Sequence, residues 1–412
     1  MRVLWLTPEL PAAAGGAQHQ WHMLTRLVAH GHAPVVVAPV HPDERPAAEA
    51  LRAAGIDVRA YERPPSRVRE TLALMRARPG LIPAALREPL LAWQCDVFWT
   101  KLEPLARGAL AEGAFDVVNV NHDWAGDWVR RLPLGDTFRV LTAHNLTWAY
   151  YRTRARSARG AKRFALGAEA RRWRGYDERV FELYDRLVTV SEHDAEVVAR
   201  MTSTPATAIP AGTDTRALAP QPEPEGGNDP VVVFTGSMRW PPNAEGLRWL
   251  LREVWPRVRR RVPEARLFAI GADPPEDARA LADDHVEITG RVPDLEPYFA
   301  RAAVVVIPIL SGAGIRLKLL DALAAGRAIV STTMGAEGAV VRAGEHLVVA
   351  DDPESFATAV AELLGDPERR RALGAAARRL AEERYEWEAL GDRFAALIAE
   401  RPATSRRLDH VP

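Results

Sequence analysis

Arg316 and Lys318 stand at the opening of a helical pattern in SGAGIRLKLLDALAAG, Ser311–Gly326, directly behind a glycine loop. A first helical turn already carries outward-pointing N–H groups and partial positive charge, so two cations there are unfavourable unless something negative lies beside them. Gly312 and Gly314 let the backbone approach a ligand closely, and the helix start offers N–H groups to an anion. A diphosphate would turn both cations into an advantage. At ~100° per residue, Gly314, Lys318, Asp321 and Ala325 share one narrow face, while Ile315, Leu319, Leu320, Leu323 and Ala324 cover the rest. Arg316 would fall inside the apolar arc of a regular helix, which places it in an irregular first turn leaning toward the loop. Asp321, on the polar face, is an acceptor for hydroxyls such as those of a ribose. The plainer alternative is a glycine turn with a Lys–Asp surface pair, worth roughly a few tenths of a kcal/mol.

Other residues with chemistry lie in the first half of the chain. His144 ends an apolar run beside Asn145, where it would contact a donor sugar or a leaving oxygen, or else bond to backbone. His122 and Asp123, in NVNHDW, also end such a run; they would orient an acceptor or a loop, with a helix cap as the alternative for Asp123. Glu9 follows the first apolar run and is an acceptor contact or a turn residue. His19 and His22 are three apart on a helical pattern but have no evident third ligand for a metal. The basic run Tyr150–Arg163 could meet an anionic acceptor or a lipid surface, although its weak apolar face reads better as a solvated, mobile segment. Trp93, Trp99, Trp124, Trp128 and Trp148 could stack on sugars, and most read as core.

These residues fall at the ends of short β-branched runs that alternate with helical patterns. The expected strands are Val3–Thr7, Pro34–Ala38, Val58–Tyr61, Asp116–Val120, Val140–Thr142 and Leu187–Val190, then Val231–Thr235, Arg266–Ile270, Val286–Thr289, Ala303–Pro308, Ala328–Ser331 and Leu347–Val349. They are apolar on both faces and separated by helices, which predicts two doubly wound parallel α/β domains that bind ligands at the carboxyl ends of their strands. LAPQPEPEGGNDP, Leu218–Pro230, breaks the pattern as a linker. The expected division is 1–212, 213–385, a closing helix at 386–400 and a tail at 401–412. The region Pro64–Ala114 fits no simple strand–helix repeat.

The chain has 412 residues, a formal net charge of zero and a single cysteine, Cys95. Neutrality argues against a nucleic-acid binder, and one cysteine allows neither an internal disulfide nor a cysteine-rich metal site. The N-terminus reads as a strand and a turn rather than a leader, and no apolar run approaches the ~20 residues of a membrane span. A cytoplasmic protein is expected, with peripheral contact at the inner membrane face as an option.

In their order, several segments resemble the GT-B glycosyltransferases of the retaining family 4 type: TPELPAAAGGAQHQWHMLTRLVAHGHAPVVVAP, LTAHNLTWAY, LVTVSEHDAEVV, VVVFTGSMRWPPNAEGLRWL, the long stretch from ITGRVPDLEPYF to STTMGAEG, and YEWEALGDRFAALI. The resemblance covers nearly the whole chain. It implies two Rossmann-like domains facing a cleft, a sugar nucleotide held mainly by the second, an acceptor mainly by the first, and a closing helix that crosses back to the first. It also implies that Arg316 and Lys318 bind the diphosphate without a metal or other cofactor. Gly312, Ala313 and Gly314 would meet phosphate or sugar through backbone, Asp321 the ribose, and Val292 the base. Gly15 and Gly16 would let the first loop approach phosphate and acceptor.

Two departures stand out. The first acid of the family's E-x7-E motif maps to Ala313, which leaves the usual contact to donor sugar hydroxyls open. The Arg and Lys that often open the second domain map to Ser237 and Pro242, so the cations have moved to Arg316 and Lys318, with Arg239 placed to assist. The reaction implied is transfer of a glycosyl group from a nucleotide diphosphate to a small-molecule, glycan or lipid-linked acceptor hydroxyl, with retention. A sugar-nucleotide epimerase on the same fold and a non-catalytic sugar-nucleotide-binding subunit are the alternatives; product analysis without acceptor separates the first from a transferase.

Overall fold

The computed structural model describes residues 1–13, 17–63, 89–220, 230–312 and 314–401. Its backbone follows from the apolar runs. Strands β1 (Arg2–Leu6), β2 (Ala33–Val40), β3 (Asp57–Glu62), β4 (Val117–Asn121), β5 (Phe138–Ala143), β6 (Arg186–Thr189) and β7 (Ala206–Ala208) form one parallel sheet in the order β3-β2-β1-β4-β5-β6-β7. Strands β8 (Val231–Thr235), β9 (Arg266–Ile270), β10 (Val286–Gly290), β11 (Val304–Ile307), β12 (Ala328–Ser331) and β13 (Val348–Val349) form a second, in the order β10-β9-β8-β11-β12-β13. Every ladder is parallel, with registers such as Leu4↔Val118 and Val304↔Val232. Both sheets reverse direction of winding beside their first strand, between β1 and β4 and between β8 and β11. In such sheets the crevice outside the strand carboxyl ends at that reversal is where ligands bind.

The chain divides into two compact units, residues 1–210 with 388–412, and residues 211–387. In the first, residues such as Leu4, Leu6, Val118, Val120 and Leu141 are buried among Trp99, Trp128 and Trp173. Trp99 and Trp128 stack at 4.6 Å, so these two are core. The helix Trp387–Ala399 belongs to this unit from Glu388 onward: Phe394 meets Trp5 edge-on at 5.6 Å, and Arg26 Nη2 pairs with Asp392 at 2.5 Å. In the second unit Val232, Phe234, Val304, Val306 and Val330 are buried with Leu247, Val254 and Phe356.

Three departures from the sequence expectations concern the architecture. Strand β7 was not expected; its Ala-Thr-Ala is short, half-buried and without an apolar signature. Leu90–Ala111 is one helix of 22 residues with Pro104 inside it, and its sequence LLAWQCDVFWTKLEPLARGALA carries apolar residues on every side, which blurs the helical period. Tyr150–Arg163 is not a loose segment: it lies in the helices Thr147–Ser157 and Gly160–Phe181, the second anchored through buried Trp173, Tyr176, Val180 and Phe181. Most of the expected linker, 221–229, and the tail from 402 lie outside the described residues. Among the described residues no helix is long and apolar enough to cross a membrane.

Candidate functional site

In the C-terminal unit the loops after β8 and β11 converge at the reversal point. The helix after β11 runs from Leu317 to Ala324, so it starts later than the shared face Gly314–Lys318–Asp321 requires. Gly314 has φ +79, a left-handed value that cannot continue a helix, and it lies outside. Arg316 is the extended residue just before the helix, with φ −97 and ψ 107, and is 4% exposed. Its guanidinium lies 5.4 Å from the Trp240 ring centre, donates from Nη2 to the Met334 carbonyl at 3.4 Å and is 3.9 Å from Glu337. It does lean toward the glycine loop: a Cβ on Gly312 would stand 3.1 Å from Arg316 Nη2 and 3.3 Å from Trp240. Gly312 also has φ +129, so a side chain there would be strained as well as crowded.

Lys318, in the first turn, is half-buried. Its Nζ donates to Asn243 Oδ1 at 2.6 Å and lies 4.6 Å from the Phe234 ring centre. Burial first, and then the neighbouring Arg316 charge, lower its pKa to about 7. An arriving phosphate would reverse that balance and favour the ammonium. Asp321 accepts from Thr213 Oγ1 at 3.0 Å, and burial raises its pKa to about 6 despite that bond.

The remaining donor-side candidates are spread out. Ser237 is exposed in the turn after β8, and its carbonyl accepts from Asn243. Arg239 is exposed and ion-paired with Asp273, turned to that partner rather than to Lys318. Val292 follows Gly290 at the end of the edge strand β10. Ala313 lies outside the described residues.

In the N-terminal unit the ends of β1, β4 and β5 bring Glu9, His122 and His144 together. His122 Nε2 is 2.9 Å from Glu9 Oε1, and Gln20 Nε2 donates to the same oxygen at 3.3 Å. Burial works to raise the Glu9 pKa, but the His122 charge and the bonds from His122 and Gln20 outweigh it, so the net shift is downward. His122 has φ +71, a conformation that costs a non-glycine residue energy and recurs at functional sites.

The His144 ring stacks on His122 at 4.4 Å and meets His19 edge-on at 5.2 Å. His144 bonds through Nε2 to the side chain of Asn121 at 3.1 Å, not to backbone. With Asn121 Oδ1 as acceptor, Nε2 carries the hydrogen and Nδ1 keeps a lone pair. Burial, then His122 and His19, hold its pKa well below the usual imidazole range, so the ring is neutral. His19 faces the Ile209 carbonyl at 3.2 Å, and burial takes its pKa to about 4. Gly15 and Gly16 lie outside the described residues. Asn121, Gln20, Trp240 and Asn243 were not anticipated, because their roles arise only from contacts between distant segments.

Asp123 resolves toward structure. Its carboxylate accepts from Trp124 N at 2.9 Å, Thr147 N at 2.9 Å and Thr147 Oγ1 at 3.0 Å, so it fixes the start of the helix at Thr147. Behind it Asp177 is fully buried, and among the described residues neither of its oxygens has a hydrogen-bond partner. Burial, then Asp123 and Glu178, push its pKa well above the carboxylate range. The folded protein therefore keeps this proton where the unfolded chain, with an ordinary pKa of about 3.9, has lost it. The group's contribution to stability is complete below about pH 4 and falls as pH rises toward its folded pKa, with a limiting slope of ~1.4 kcal/mol per pH unit. Asp177→Asn removes this term. Urea midpoints measured from pH 4 to 8 are expected to show the variant gaining on the wild type as pH rises; parallel curves would refute the assignment.

Two family models match the sequence. Residues 13–217 match Glycosyltransferase Family 4, and residues 229–366 match Glycosyl transferases group 1. A GDP-mannose-dependent alpha-(1-6)-phosphatidylinositol monomannoside mannosyltransferase of Mycolicibacterium smegmatis is 33% identical over 217 residues, 47% of this chain and 56% of that protein. The first relatives matched are thus covered over little more than half their length or less. Among solved structures, the sucrose-phosphate synthase of Thermosynechococcus elongatus superposes with a TM-score of 0.70 at 16% identity, over 97% of this chain and 99% of that one. Anabaena HepE, in a complex with UDP-glucose, superposes at 0.63 with 12% identity, over 97% and 100%. These two likenesses concern the fold.

Proposed function

This chain belongs to the GT-B glycosyltransferases of the family 4 type, and from that premise we propose that it moves a sugar from a nucleotide-diphosphate donor to an acceptor hydroxyl with retention at the anomeric carbon. The observation that carries the reading is the placement of Arg316 beside the Gly312 backbone and of Lys318 beside the Gly236 backbone, both at the N-terminus of the helix that follows β11. That arrangement suits a diphosphate. Helix N–H groups, a guanidinium and an ammonium would stabilise the charge that grows on the departing phosphate. Asp321 would hold a ribose hydroxyl. A phosphate oxygen of the leaving group would take the acceptor's proton, which leaves the neutral His144 ring free to position the sugar through Nδ1. Glu9 and His122 would orient the acceptor.

GDP-mannose is the first donor to try, since the mannosyltransferase relative depends on it by name. Its name also points to a lipid-linked acceptor, and peripheral membrane contact fits the basic surface of the helices Thr147–Ser157 and Gly160–Phe181. Residues 147–175 hold nine cations and one acid, and Phe164 among them is 80% exposed.

The test combines binding with product analysis. GDP-mannose and UDP-glucose are screened by thermal shift; a ligand at 100 times its Kd adds ~2.7 kcal/mol of stability. Each donor is then incubated with and without phosphatidylinositol in mixed micelles, and the products are read by NMR. Transfer with release of nucleoside diphosphate and an unchanged anomeric configuration is expected. Epimerised donor without nucleotide release, binding without turnover, or an inverted product would overturn the reading.

A further inference from the structure

Asn243 is 5% exposed in the first turn of the helix Pro241–Trp249, which follows β8. Its amide uses both ends. Oδ1 accepts from Lys318 Nζ at 2.6 Å, and Nδ2 donates to the Ser237 carbonyl at 2.7 Å. The two contacts tie the loop after β8 to the helix after β11 across the reversal point of the sheet.

The backbone makes room for this bridge. A Cβ on Gly236 would stand 2.4 Å from Lys318 Nζ and 2.8 Å from Asn243 Nδ2, and Gly236 has φ +146. Any other residue there would evict one partner. The groups around the ammonium set its balance: Arg316 is the neighbouring charge on its own element, while β8 and the helix Pro241–Trp249 present the uncharged Phe234 ring and Asn243 amide. Asp321, one turn further on, is engaged by Thr213.

A lysine has a flexible four-carbon stem, and an ammonium beside a guanidinium is pushed away from it. Without an acceptor across the gap, Lys318 would swing out of the anion site. The acceptor must also be neutral, because a carboxylate there would neutralise the ammonium and repel a diphosphate.

We propose that Asn243 is the positioning residue of the donor site: its amide fixes the Lys318 amino group against the turn after β8, so that the group is in place to carry positive charge as the donor arrives. The proposal rests on the donor-site reading above. A readout independent of any donor separates the two.

The protein has three lysines, Lys101, Lys162 and Lys318, so [ε-13C]lysine gives a resolvable NMR spectrum of the full chain. The Lys318 signal is followed from pH 5 to 10 in wild type, Asn243→Ala and Asn243→Asp, first alone and then with GDP or UDP. The wild-type signal is expected to titrate near 7. Asn243→Asp should raise that midpoint by more than one unit, and Asn243→Ala should lower it and broaden or shift the signal as the side chain loses its anchor. Both variants should weaken binding of the nucleotide, Asn243→Asp more than tenfold through repulsion. Asn243→Ser, which retains a short neutral acceptor, should recover part of the loss. Superimposable Lys318 titrations in all three proteins, or variant affinities equal to wild type, would overturn the proposal. Shifted titrations with no response of wild-type Lys318 to either nucleotide would uphold the bridge and overturn the donor-site reading.

Discussion

Arg316→Ala is expected to lower kcat/KM for glycosyl transfer by ~10^2–10^3-fold, the loss typical of removing one preorganised donor from a site where negative charge develops. The effect should fall on kcat more than on KM, because the leaving phosphate carries more charge in the transition state than in the bound donor. Arg316 makes its contacts to the Met334 carbonyl, Trp240 and Glu337 at the rim of the Gly312 loop, away from the sheet core, so the melting temperature should change little. Arg316→Lys keeps the charge and loses the planar fork, and should recover only part of the rate. Steady-state kinetics beside a thermal melt decides the matter. Unchanged turnover in the alanine variant would remove Arg316 from the mechanism.

The largest expected loss of stability lies at the other end of a strand. Arg139, at the second position of β5, is 1% exposed, and its partner Asp185 is buried just before β6. Asp185 Oδ2 accepts from Arg139 N at 2.9 Å and from Arg139 Nε at 3.3 Å, while Asp185 N donates to the Arg139 carbonyl at 2.9 Å. Asp185→Ala removes the buried carboxylate paired with this guanidinium and should cost about 3–5 kcal/mol of unfolding free energy. The double variant Asp185→Ala with Arg139→Leu should recover much of that loss, because it removes the buried charge along with its carboxylate partner. Urea unfolding of the three variants reads the result. A cost below about 1 kcal/mol for Asp185→Ala would mean that the carboxylate contributes little to holding the guanidinium. These residues lie at the amino ends of their strands, so nucleotide affinity at low temperature should be unaltered.

Much of the architecture was legible because parallel strands buried on both faces leave an unbroken apolar signature. Val231–Thr235, Arg266–Ile270 and Ala328–Ser331 were placed to the residue, while Ala206–Ala208 has no such signature and was missed. The Ser311–Gly326 stretch announced an anion site through an electrostatic conflict: cations where a helix start disfavours them. The start of that helix was misplaced, since Gly314 takes a left-handed conformation that periodicity alone does not reveal. The three-histidine stack could be suspected only one residue at a time. Nothing in local spacing says that His19, His122 and His144 share one space, because the sheet topology puts them there. Asn243 is the extreme case. In WPPNAEGL it reads as an ordinary helix-start residue, and its meaning comes entirely from Lys318, 75 positions away.

The helices Thr147–Ser157 and Gly160–Phe181 also bear on how the molecule moves near other charged bodies. Nine cations and one acid give residues 147–175 a charge of +8, and because the whole chain is neutral, the remaining residues sum to −8. Such a chain has no monopole but a large charge asymmetry. An anionic sheet of headgroups draws this hairpin inward and pushes the remainder away, so approach carries a torque as well as an attraction. The protein would then arrive already oriented within roughly a Debye length, ~8 Å at physiological ionic strength, and would lose that guidance as salt is added.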